Sequence, residues 1–181
     1  MIPRISNILY ATDLSKNSAY AFRYAVSSAE HHKAKIHILH VLEIRLFPVS
    51  LPGEEGTGTL SEGPLYLEKL QKFDARQKKL AKEKIQKRLK NFCQKELQGN
   101  AALLKRVVSI EIAEGDPAAQ ILQKAEELPA DVVIMGSHGK GLLANAFLGS
   151  VTEKVLNRIK IPVFIIPIPK ETDMNADLSL P

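Results

Sequence analysis

The chain has 181 residues, 45% hydrophobic and 25% charged, with 25 Lys+Arg against 20 Asp+Glu and a formal charge of +5. This length suits one globular domain, and the balance excludes a disordered, collagenous or disulfide-stapled chain, Cys93 having no cysteine to pair with. No apolar run reaches the ~20 residues of a bilayer-crossing helix, and the first ten residues lack both the basic flank and the cleavage site of a secretory signal, so a cytoplasmic protein is expected.

In chain order, 5–10 (Ile-Ser-Asn-Ile-Leu-Tyr) is a short run rich in Ile and reads as a strand. Asp13 and Ser15 then open a helical stretch in which Tyr20, Ala21, Tyr24 and Ala25 recur at helical spacing. A second strand is predicted over 35–42. It is followed by 45–64, where three prolines, four glycines and three acids without helical period predict a mobile loop.

A long helix is predicted over 65–97, with Leu70, Phe73, Leu80, Ile85, Leu89, Phe92 and Leu97 forming an inward stripe. The excess charge of the chain sits here: 68–96 holds eleven Lys/Arg against four acids, a net +7 that leaves the rest at −2. A solvated face is the simpler reading of those lysines. A contact with nucleic acid or an anionic membrane surface is the alternative, unsupported by any RNP-like or zinc-finger pattern.

Strands follow at 107–113, 131–135 and 161–166, separated by a helix that Asp116-Pro117 opens and by a last helix after Gly149. The residues 170–181 read as a frayed tail, so the domain is expected to span 1–169. Alternating strands and helices imply a parallel sheet covered on both faces, a doubly wound α/β sandwich. Continuous apolar runs such as 132–135 and 163–166 suit strands buried on both sides. The last strand is also expected to offer an apolar edge for dimerisation.

Ligands in open α/β sheets sit outside the carboxyl ends of the strands. This directs attention to the loops after Tyr10, Val41, Ala113 and Met135, of which the last, 136–151, is rich in glycine. Its residues 139–144 satisfy Gly-x-Gly-x-x-Ala. A dinucleotide site, however, needs that pattern after the first strand and an acid about 20 residues later, and the next strand runs into Pro167-Ile168-Pro169. No Walker A loop occurs, and Asp13 lacks the acidic neighbour of a phospho-receiver site.

The remaining reading spaces the glycines as Gly136, Gly139 and Gly149-Ser150, a split phosphate cradle. Gly136 and Gly139 would let backbone approach a ligand and take positive φ, while Gly149, Ser150 and Val151 would offer amides and a hydroxyl at a helix start. His138 is a phosphate donor in this reading, or an ordinary loop residue. His31 and His32 are expected at the surface, and His37 and His40 on opposite faces of one strand. Cys93 reads as a buried hydrophobe.

Several landmarks then fall in order: Ile8-Leu9-Tyr10-Ala11-Thr12-Asp13, His40-Val41, Glu114-Gly115-Asp116-Pro117, Met135-Gly136-Ser137-His138-Gly139 and Leu148-Gly149-Ser150-Val151-Thr152-Glu153. In these the chain resembles the universal stress protein family, in particular its ATP-binding branch, whose signature is Gly-x2-Gly-x9-Gly-Ser/Thr. The resemblance implies a five-stranded parallel sheet of Rossmann-like type with four helices, a homodimer, and ATP held without a P-loop.

It further implies that Ala11, Thr12 and Asp13 hold the nucleoside, with Asp13 accepting from the ribose, and that Val41 touches adenine. Gly136, Ser137, His138, Gly139 and Lys140 would lie along the phosphates, closed by Gly149, Ser150 and Val151. Mg²⁺ or Mn²⁺ would be held mainly through phosphate oxygens. Ala11 departs from the proline often found there in that branch. The function so implied is a nucleotide-dependent regulatory or stress-response module with a downstream protein partner; slow ATP hydrolysis or autophosphorylation is the alternative.

Overall fold

A computed structural model describes residues 3–15, 18–43, 64–138 and 148–167. Five strands, β1 (Asn7–Ala11), β2 (Lys35–Leu42), β3 (Val107–Glu114), β4 (Val132–Gly136) and β5 (Val163–Ile166), alternate with helices α1 (Ser18–His32), α2 (Pro64–Glu96), α3 (Ala101–Leu104), α4 (Pro117–Glu127) and α5 (Ser150–Leu156). The strands form one sheet in the order β3-β2-β1-β4-β5, and every neighbouring pair is parallel. The order reverses at β1, which has β2 on one side and β4 on the other, so the crevice outside β1 and β4 is the switch point of the sheet.

The central strands bury both faces because successive side chains point to opposite sides. Ile8 and Tyr10 of β1, Ile36 and Ile38 of β2, and Val132 and Ile134 of β4 meet Phe22 of α1 and Leu89 and Cys93 of α2. Leu9 and Ala11, with Leu39, Val133 and Met135, meet Ala118, Ile121 and Ala125 of α4 and Val155 of α5. This is the doubly wound sandwich that the strand–helix alternation predicts.

The helices show why each forms where it does. In α1, Ala21, Phe22, Ala25, Val26 and Ala29 give a buried stripe at helical spacing, and the chain leaves it through Lys33 at φ 57. In α2, Leu89, Cys93 and Leu97 are buried four residues apart, and the helix closes in a Schellman motif, Gln98 at φ 47 donating its amide to Lys95 O at 3.1 Å and Gly99 at φ 72 donating to Gln94 O at 3.2 Å. Asp116 caps α4 by accepting from the Ala119 amide at 2.9 Å, with Pro117 in the first turn.

Four expectations are corrected. Leu80 lies outside the inward stripe of α2 and is 51% exposed, because the spacing of nine from Leu80 to Leu89 turns it half a revolution away. The strand at 163–166 is the edge expected for dimerisation but is not buried on both sides: Phe164 is exposed, since no strand among the described residues covers its outer side. A short helix, α3, follows α2, started by Asn100, whose side chain accepts from the Ala102 and Leu103 amides at 3.0 and 3.2 Å. Gly136 is not among the glycines with positive φ, because it is paired in extended conformation with Ile166. Of the loop predicted at 45–64, Pro64 is the first residue of α2 and the rest lies outside the described residues, as does the tail at 170–181.

Candidate nucleotide site

The β1–α1 turn is built by polar groups that compensate for the end of the ladder. Thr12 N–H continues the pairing by donating to Leu39 O at 2.9 Å. His40, buried on β2, places Nδ1 at 2.7 Å from Thr12 O. A carbonyl only accepts, so Nδ1 carries the proton in that bond. Thr12 Oγ1 accepts from Leu14 N–H at 3.2 Å, and Leu14 itself stands at φ 58. A left-handed leucine costs on the order of 1 kcal/mol. That strain is held by these tethers and by Arg88 of α2, whose Nη2 donates to Leu14 O at 3.3 Å.

Asp13 is fixed by this turn. Its Oδ1 accepts from Ser15 N–H at 3.0 Å, closing a local turn and leaving the cap of α1 to other groups: Ser18 N–H and Oγ–H both donate to Ser15 O, at 3.1 and 2.7 Å. The other carboxylate oxygen, Oδ2, is buried and has no hydrogen-bond partner among the described residues. A buried carboxylate oxygen without a donor is costly, so Oδ2 marks a position at which a ligand donor would be stabilised.

On the other side of the switch point, Gly149 N–H donates to Ser137 O at 2.8 Å, and Thr152 Oγ1–H donates to Gly136 O at 3.2 Å. These two bonds pin the end of β4 to the start of α5, so the chain between Ser137 and Gly149 leaves and returns at one point. Gly149 is the N-cap of α5 without a side-chain cap bond, and the first-turn amides of such a helix have no intrahelical acceptor.

Between the two halves lies a cleft of about 530 Å³, within the usual size of small-molecule sites. Of the residues singled out in the sequence, Ala11, Thr12, Asp13, Val41, Gly136, His138, Gly149, Ser150 and Val151 line it. Ser137 is buried behind the lining; its amide donates to Ile166 O at 2.9 Å and its hydroxyl lies 2.9 Å from His138 Nδ1. Gly139 and Lys140 are outside the described residues. The structure adds Leu39, His40, Pro117, Ile121, Met135 and Thr152 to the lining. His40, Pro117, Met135 and Thr152 stand in the runs that carry the resemblance, whereas Leu39 and Ile121 read in the sequence as plain core residues.

Among the described residues no group of three His, Cys, Asp or Glu is placed to hold a metal. His37 and His40 face opposite sides of β2: His37 Nδ1 lies 2.8 Å from Ser109 Oγ on β3, whereas His40 turns to the β1–α1 turn. His31 and His32 are exposed and Cys93 is buried. No described helix is long and apolar enough to cross a membrane.

The model of the Universal stress protein family matches residues 4–167. The chain belongs to the universal stress protein family. Universal stress protein MJ0531 of Methanocaldococcus jannaschii is 30% identical over 164 residues, which cover 91% of this chain and 83% of that protein. Protein MJ0577 of the same organism is 29% identical over 165 residues, 88% of this chain and 93% of its own. The solved structure of MJ0577 superposes with a TM-score of 0.69 at 22% identity, covering 93% of this chain and 100% of that one. A universal stress protein solved in complex with cAMP shares the fold with a TM-score of 0.52 at 20% identity, covering 92% of this chain and 100% of that one.

Proposed function

We propose that this universal stress protein binds ATP in the cleft at the β1/β4 switch point and acts as a nucleotide-dependent regulatory module. The observation that carries the reading is Asp13 Oδ2, buried and without a donor in a cleft lined by the expected residues. A ribose hydroxyl supplies such a donor. Val41, Leu39 and Ile121 offer an apolar wall for adenine, while Ser150, Val151 and Thr152 bring first-turn amides, and Ser150 its hydroxyl, to the phosphate end. Gly139 and Lys140 belong to the same cradle in this reading. One protein of this fold has been solved with cAMP; that likeness carries the fold, and the argument for this chain rests on its own residues.

A divalent cation would bridge phosphate oxygens and waters, as Mg²⁺ does when few protein ligands are available. The reading includes a homodimer through β5, supported by its edge position and by exposed Phe164. It asks for a cradle and no catalytic base, so release of inorganic phosphate from bound ATP is the readout that separates a binding module from a slow ATPase. Calorimetric titration with ATP tests the site itself. Micromolar binding is expected for the wild type, and its loss in the Gly139→Val, Gly149→Val double variant, because a β-branched residue is a poor N-cap and crowds the cradle. Equal binding by both proteins, or none by the wild type, overturns the reading.

A further inference from the structure

The long basic helix takes no part in the cleft apart from the Arg88 bond to Leu14 O, and its charges divide into two sets. Lys78 is neutralised by Asp74 at 2.6 Å and Lys82 by Glu114 at 2.7 Å. Arg76, Lys79, Lys84, Lys87, Lys90 and Lys95 are all exposed, and no ion pair joins them to any described acid. Among the described acids of this helix, Asp74 is taken by Lys78 and Glu96 by Arg23 at 3.0 Å, and Glu83 makes no ion pair. At 3.6 residues per turn, Arg76, Lys79, Lys87 and Lys90 fall within about 80° of one another on one face and span about 21 Å.

We infer that this face of α2 docks on duplex DNA through its phosphates. Three properties select that partner. A helix lying in a membrane interface needs its apolar side free, and here Leu89, Cys93 and Leu97 are spent in the core, with Leu80 the one large apolar side chain exposed among the described residues of the helix. A protein interface needs aromatic or aliphatic anchors and is depleted in lysine, and the face has no aromatic residue among its described side chains. Single-stranded nucleic acid is held largely by such aromatics, which stack on bases. A row of one arginine and three lysines suits the duplex backbone, which presents about 12 charges over 21 Å. The major groove of B-DNA also admits a helix, whereas that of duplex RNA is too narrow. The contact is therefore independent of base sequence.

The test is fluorescence anisotropy of the full chain with a labelled mixed-sequence DNA duplex of about 20 base pairs, over salt from about 50 to 200 mM. Four phosphates engaged give a log–log slope of about −3.6, a loss of about a hundredfold across that range. The variant Arg76→Gln, Lys79→Gln, Lys87→Gln, Lys90→Gln changes only exposed positions of that face and is expected to lose this binding. A control with four exposed cations removed elsewhere, Arg4→Gln, Lys33→Gln, Lys105→Gln, Lys160→Gln, is expected to keep it. Circular dichroism and thermal unfolding check that both variants fold. No salt-sensitive binding by the wild type, equal loss in the control, or tighter binding to single strands or anionic vesicles than to the duplex overturns the inference. None of these outcomes depends on whether ATP binds.

Discussion

Asp13 shows how one side chain can serve two purposes. Its Oδ1 is occupied by the Ser15 amide while Oδ2 stays buried without a donor. Asp13→Asn keeps an acceptor for Ser15 but removes the charge, so ATP affinity is expected to fall about ten- to a hundredfold, as for a hydrogen bond to a charged group, measured by calorimetry. From the sequence Asp13 reads as a helix-opening residue, whereas in the fold it closes a turn ahead of α1, which starts at Ser18; the orphaned oxygen was not legible either, because it depends on which donors the fold brings near. Burial pushes the Cys93 thiol up to about 11, so the thiolate is scarce at neutral pH. Native protein is expected to resist iodoacetamide at neutral pH, and protein unfolded in urea to react promptly, as followed by mass spectrometry. Burial first and Lys35 second hold the His37 imidazole below its ordinary 6.5. Folding thus favours the neutral ring: the stabilisation is fully present above pH 6.5 and is lost as pH falls through the lower folded value. The melting temperature of the wild type is expected to drop on going from neutral to acid pH, and that of His37→Gln to depend less steeply on pH.

At the scale of elements, the strands were legible because short Ile- and Val-rich runs admit little else, and α4 because Asp116-Pro117 marks a helix start. The long helix was legible in extent but not in its facing. Leu80 and Leu89 are equally apolar, and only packing assigns one to water and the other to the core. Leu89→Ala is expected to cost about 2–5 kcal/mol through the cavity it leaves, and Leu80→Ala well under 1 kcal/mol; urea denaturation distinguishes the two. The short α3 escaped notice because four residues carry no periodicity, although Asn100 was a cap signal in plain view. In the glycine loop one expected cause gives way to another. Gly136 sits at the cleft in extended backbone, and what shapes the loop's base is the pair of bonds from Gly149 and Thr152 to residues 137 and 136.

At the scale of the whole molecule, the edge at β5 is where assembly is expected. Phe164→Glu places a charge on that edge and is expected to yield a monomeric mass by light scattering where the wild type gives a dimer; a dimeric mass for the variant moves the contact elsewhere. The sequence by itself determined the α/β class, the parallel character of the sheet and the loops to search, because hydrophobic period and helix caps are local properties written residue by residue. Tertiary structure alone decided the strand order that puts β1 beside β4, the cleft this creates, and the division of the α2 lysines into neutralised and free. Those depend on which groups distant in the chain become neighbours. Local patterning limits such pairings without selecting among them; burial and hydrogen-bond satisfaction across the whole chain make the choice.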